Sequence, residues 1–107
     1  MKNFDPQSLM SQAKRMKDEL AKIQNDLKER MVEGVAGGGL VTVVANGVQE
    51  IQAVRIKPEA VDKSDVEMLE DLVTVAVKAA LDKAKKLQDS ETQKVTGGLG
   101  GMGGLGF

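Results

Sequence analysis

Apolar residues in the first thirty positions line one narrow helical seam. Leu9, Ala13, Met16, Leu20, Ile23 and Leu27 are spaced 4, 3, 4, 3, 4, and nearly every position between them is polar or charged. A stripe this narrow belongs to a coiled-coil-like contact rather than to the broad face of a buried helix. The pattern predicts a helix over about 6–30. Asp5 suits its N-cap, and Pro6 suits its first position, where the missing N–H has no partner to lose.

From Met31 the period changes. Val-rich runs over about 31–36, 40–45 and 48–57 are separated by Gly37-Gly38-Gly39 and by Asn46-Gly47. Asn-Gly between β-branched residues is the strongest short-range hairpin signal, since a two-residue type I′ turn needs φ > 0 at both positions. The middle of the chain therefore reads as a three-stranded antiparallel meander. In the third strand Val54 and Ile56 fall on one face and Ile51, Ala53 and Arg55 on the other, and Pro58 ends the run.

A second helix is predicted over about 65–90, opened by the capping-box pattern Ser64-Asp65-Val66-Glu67. Its apolar positions Leu69, Leu72, Val73, Ala76, Ala80, Ala84 and Leu87, broadened by Val66, Val75, Val77 and Leu81, make a wider face than the first helix has. That face belongs against the sheet, where Ala76, Ala79, Ala80 and Ala84 permit close approach. Acids gather in its first turns and Lys78, Lys83, Lys85 and Lys86 later, as the helix dipole favours. The fold class is α+β, in the order α-β-β-β-α.

A 25-residue helix is roughly 38 Å long, against about 20 Å for a six-residue strand. The first helix must overhang its sheet. About half of its seam then needs a partner from the last helix or from a second subunit.

Composition narrows the class. The 107 residues make one small domain over 1–96, followed by a Gly-rich tail over 97–107 with seven glycines in eleven residues. With two Phe and no Trp or Tyr, the core is built from Val, Leu, Ile, Ala and Met, which stabilises a monomer weakly and favours association. The absence of cysteine fits a cytoplasmic protein, no run approaches a membrane span, and the charged first 25 residues are no signal peptide. The formal charge is -1, from 15 basic and 16 acidic side chains, so any affinity for nucleic acid must come from local patches.

Little here can carry catalysis. With neither His nor Cys, the commonest general base, the triads built on these residues and nitrogen- or sulfur-ligated zinc are all unavailable. Asp62, Asp65 and Glu67 lack calcium-loop spacing and are explained by helix capping. Gly98–Gly103 matches G-x-G-x-x-G, but it follows a helix instead of linking a strand to one. No enzyme activity, cofactor, metal site or small-molecule substrate is expected.

The first helix has a basic excess. Residues 1–30 hold seven basic and five acidic side chains, among them Lys14, Arg15, Lys17, Lys22, Lys28 and Arg30. Asp18–Lys22 and Asp26–Arg30 are candidate i,i+4 ion pairs. The charges suit either a solvated face or a phosphate-contacting one. Without Trp or Tyr, base stacking is unavailable, which favours duplex phosphates over single strands.

Glu33-Gly34, Ala36 to Val41, Asn46-Gly47, Ile56-Lys57-Pro58-Glu59 and Glu67 to Leu72 stand in the order and spacing of the YbaB/EbfC family of bacterial nucleoid-associated proteins, which the chain resembles along nearly its whole length. The resemblance implies a homodimer with helices projecting from a sheet-containing body. It also implies binding of double-stranded DNA with little sequence preference, in chromosome organisation or gene regulation in the nucleoid. It assigns DNA contact to the outer helices, which offer Lys14, Arg15, Lys17, Lys22, Lys83, Lys85 and Lys86 in this chain. The alternative is a helical protein-interaction module whose exposed seam binds a partner protein, with DNA binding incidental.

Overall fold

The computed structural model describes residues 6–95; Asp5 and the Gly-rich segment 97–107 lie outside them. Helix α1 (Pro6–Glu29) leads into β1 (Met31–Ala36), a 3-10 turn (Gly37–Gly39), β2 (Val41–Asn46) and β3 (Ile51–Ile56). A second 3-10 turn (Pro58–Ala60) precedes α2 (Val66–Val95). The strands form an antiparallel meander in the order β1-β2-β3. This is the α-β-β-β-α architecture that the hydrophobic pattern predicts.

The broad face of α2 covers β1 and β2. Ala76, Ala80 and Ala84 are fully buried against Ala36, Val41, Val43 and Ala45. Small side chains let the two backbones approach so closely that a Cβ at Gly34 would strike the Ala76 carbonyl and the Ala80 nitrogen. The alanine stripe and Gly34 are therefore two halves of one contact.

The Gly triplet turns as expected, with φ of 63°, 67° and 102° at Gly37, Gly38 and Gly39. The second turn differs from expectation. Asn46 ends β2, and the loop runs from Gly47 to Glu50 with its positive φ at Gln49 (67°), so no two-residue Asn-Gly turn forms. Asn46 instead organises a longer loop: its Oδ1 accepts the N–H groups of Val48 (3.1 Å) and Glu50 (2.9 Å), while Nδ2 donates to Glu50 Oε1 (2.7 Å) and the Lys28 carbonyl (3.2 Å). Gly47 serves proximity, since a Cβ there would lie 2.8 Å from Leu27 Cδ2 and 2.9 Å from the Leu27 carbonyl oxygen.

The loop shortens β3 to Ile51–Ile56, and a bulge opposite Val44/Ala45 pairs Ile51 with Ala45. Directly paired residues share a face. Ile51 consequently joins Val54 and Ile56 on the α2 side, instead of facing away with Ala53 and Arg55 as simple alternation implies.

Both ends of α2 also differ from expectation. Asp65 caps the helix through its Oδ1, which accepts the Met68 N–H at 3.1 Å, whereas Ser64 turns back to Asp62. The helix continues to Val95, five residues beyond the predicted stop at Ser90, because its last turns are tied to α1 and to each other. Helix α1 buries only Leu27 fully. Leu9, toward its other end, is 49% exposed, and the molecule measures 75 × 27 × 16 Å. The overhang and the uncovered part of the seam are both present.

Candidate nucleic-acid interface

At 3.6 residues per turn, Lys14, Arg15 and Lys22 fall on the side of α1 opposite the apolar seam. With Ser11, Asp18 and Glu19 they line one shallow, open surface carrying three cations and two carboxylates. All are exposed. Lys17 lies apart from them, on the flank that carries Gln24 seven residues later, and Gln24 faces α2 by accepting the Gln88 side-chain N–H at 3.1 Å. The structure thus groups three of the four α1 candidates and leaves Lys17 beside the helix pair.

The α2 candidates are exposed as well. Lys83 and Lys86 share a flank at i,i+3, and Lys86 pairs with Asp82 at 3.2 Å. Lys85 sits on the side turned away from the sheet, with Lys78 one heptad before it. These lysines therefore form two small groups rather than one patch.

Arg30, counted with the basic excess, is engaged elsewhere. Its Nη1 lies 3.5 Å from Glu91 Oε1 on α2, which replaces the Asp26–Arg30 pair expected within α1. Lys94 Nζ reaches Glu91 Oε2 at 2.7 Å. The Lys94 hydrogen bond, with the charges of Lys94 and Arg30 adding to it, holds the Glu91 carboxyl below the usual glutamate range. Gln88 also accepts from the Gln49 side chain (3.0 Å), so a Gln49–Gln88–Gln24 chain ties the β2–β3 loop to both helices. Nothing in residue type or spacing marks those three glutamines; their partners lie 39 and 64 residues away in sequence.

The Ser64 hydroxyl donates to Asp62 Oδ1 at 2.7 Å and the Ser64 N–H at 2.9 Å, and these bonds, the hydroxyl's first, lower the Asp62 pKa. The Asp62 carboxylate thus closes the turn before α2 instead of capping the helix as expected, and Asp65 is the residue that caps it. Among the described residues no helix is long and apolar enough to cross a membrane.

The profile of the YbaB/EbfC DNA-binding family matches residues 1–99. The chain belongs to this family. Among similar proteins, a nucleoid-associated protein of Acetivibrio thermocellus is 51% identical over 98 residues, covering 92% of this chain and 87% of that protein. Another, from Chloroflexus aurantiacus, is 46% identical over 99 residues, covering 92% of this chain and 99% of its own. The crystal structure of an uncharacterized protein from Helicobacter pylori has a similar fold, with a TM-score of 0.63 at 20% identity over 73% of this chain and 90% of that one.

Proposed function

We propose that this YbaB/EbfC-family chain is a nucleoid-associated protein that binds double-stranded DNA as a homodimer. It neutralises phosphates with little sequence preference, in chromosome organisation or gene regulation in the nucleoid of the cytoplasm. The observation that carries this reading is the projecting α1, whose Lys14, Arg15 and Lys22 face away from the apolar seam. Relatives named as nucleoid-associated proteins support it. Lys17, Lys83, Lys85 and Lys86 complete the proposed phosphate contacts, with Lys86 having to leave Asp82 to make its own.

Binding of this kind releases counterions, with a logarithmic salt slope of about -0.9 per phosphate contacted. Four contacts would lower affinity on the order of 100-fold between 50 and 200 mM salt. Gel-shift titration of random duplex across salt tests the reading. A flat salt response, or full binding after Lys14, Arg15 and Lys17 are changed to Ala, rules out these contacts.

The exposed Leu9 end of the seam favours a second reading, a module that captures a partner helix. In that case Leu20→Asp abolishes partner capture while a dimeric Leu20→Asp protein still shifts DNA.

A further inference from the structure

Cover along the apolar seam of α1 runs out toward its N-terminal end. Leu27 is buried and Ile23, Leu20 and Met16 are half-buried, whereas Ala13 is exposed and Leu9 and Met10 are 49% and 71% exposed. The covered end lies against α2. The two helices meet near their C-terminal ends, where Gln88 donates to Gln24 at 3.1 Å and Glu91 lies 3.5 Å from Arg30. Gln88, Glu91, Thr92 and Val95 fall on one face of α2, and all four are half-buried. Val95 therefore stands on the face that meets α1, and the chain continues from it through residues 96–107.

We propose that the Gly-rich segment 97–107 lies back along the chain's own α1 and covers the seam between Met16 and Leu9.

The length of the segment allows it. Leu9 lies roughly 22 Å along the helix from Gln24, where α2 meets α1. The twelve residues after Val95 span at most about 40 Å. The segment reaches the uncovered end with slack.

Its chemistry suits the seam. Leu99, Met102, Leu105 and Phe107 are apolar, and no residue from 96 to 107 carries a charged side chain. A spacing of three puts Leu99, Met102 and Leu105 on one side of a polyproline-II-like path, about 9 Å apart. Leu9 and Met16, two helical turns apart, are separated by about 10.5 Å. Successive side chains of the segment can thus meet both. The glycines between them bring no side chain that would hold the backbone off the helix. Ordering glycine costs more conformational entropy than ordering any other residue, so the cover is weakly held, and a partner helix would displace it. Leu9, Ala13 and Met16 offer DNA no counter-charge. Lys14, Arg15 and Lys22 lie on the opposite side of α1 and stay open, so the cover and the proposed phosphate contacts are independent.

The sequence contains no cysteine, so paired substitutions in the full chain report the contact directly. Ala13→Cys with Met102→Cys should close an intrachain disulfide on mild oxidation. Ser11→Cys with Met102→Cys, whose first thiol stands on the charged side of α1, should close it on the order of 10-fold more slowly, because only the seam raises the local concentration of the segment. Non-reducing gels and peptide masses measure both rates. As a second readout, changing Leu99 and Leu105 to Ser should shift the methyl resonances of Met10 and Met16 and leave that of Met68, in the first turn of α2, in place.

Equal rates from the two faces, or Met10 and Met16 resonances that do not move, would overturn the cover and leave the seam to a partner protein. Disulfides formed only between chains would overturn it as well, by placing the segment on a second copy.

Discussion

Gly47 donates its backbone N–H to the Leu27 carbonyl at 2.8 Å, joining the β2–β3 loop to the last turn of α1. The neighbouring Asn46 donates to the Lys28 carbonyl. The hairpin thus supplies donors to two carbonyls at the C-terminal end of α1, of which that of Leu27 also accepts the Arg30 N–H at 3.2 Å. This clasp helps to aim α1 away from the sheet.

Gly47→Ala tests it. The backbone there does not need φ > 0, so the methyl is barred by the Leu27 side chain and carbonyl oxygen and not by conformation. The substitution should cost about 1–3 kcal/mol. Urea denaturation should show the loss, and amide exchange should be faster at Gly47.

Gly34→Ala should be the harsher change. Its methyl meets the backbone of α2 instead of a side chain that can rotate. Separating β1 from the alanine stripe would open the core, at a cost of about 3 kcal/mol or more. A drop in the thermal midpoint well beyond that of Gly47→Ala is the expected result, and equal drops would mean that α2 can slide.

Glu91 links stability to pH. Its folded pKa is depressed, first by Lys94 and also by Arg30. The stabilisation is therefore present above the unfolded glutamate pKa and is lost as pH falls through the folded value. Glu91→Gln should be less stable than wild type near neutral pH and should converge with it in acid. Urea midpoints at descending pH measure the convergence, and added salt should narrow the gap at neutral pH.

Asp18 sits four residues from both Lys14 and Lys22 on the basic surface of α1. If phosphate lies there, Asp18→Asn should strengthen binding to random duplex at low salt, and the gain should fade at high salt. Replacing Lys14, Arg15 and Lys22 together by Ala should reduce the magnitude of the salt slope by about 2.7 per chain. Gel shifts of both variants in one salt series separate a phosphate surface from a merely solvated one.

Periodicity along the chain was enough to place two helices around a meander, because the shift from a helical seam to Val-rich strands is a local signal. It also revealed that α1 outruns its sheet and that α2 carries the broader apolar face. The candidate DNA contacts were legible only as residue types on helices. Their grouping depends on helix phase, which sets Lys14, Arg15 and Lys22 together and Lys85 apart from Lys83 and Lys86.

Tertiary structure decided what depends on distant neighbours. Asn46-Gly47 has the composition of a tight turn, but the approach of Leu27 gives Asn46 a clasp to hold and Gly47 a space to leave empty. Ile51 changed faces because a bulge inserts a residue, which no alternation count detects. Arg30 exchanged a neighbour one turn away for Glu91 because α2 passes within reach. In each case the local rule was sound, and a contact from elsewhere in the chain outweighed it.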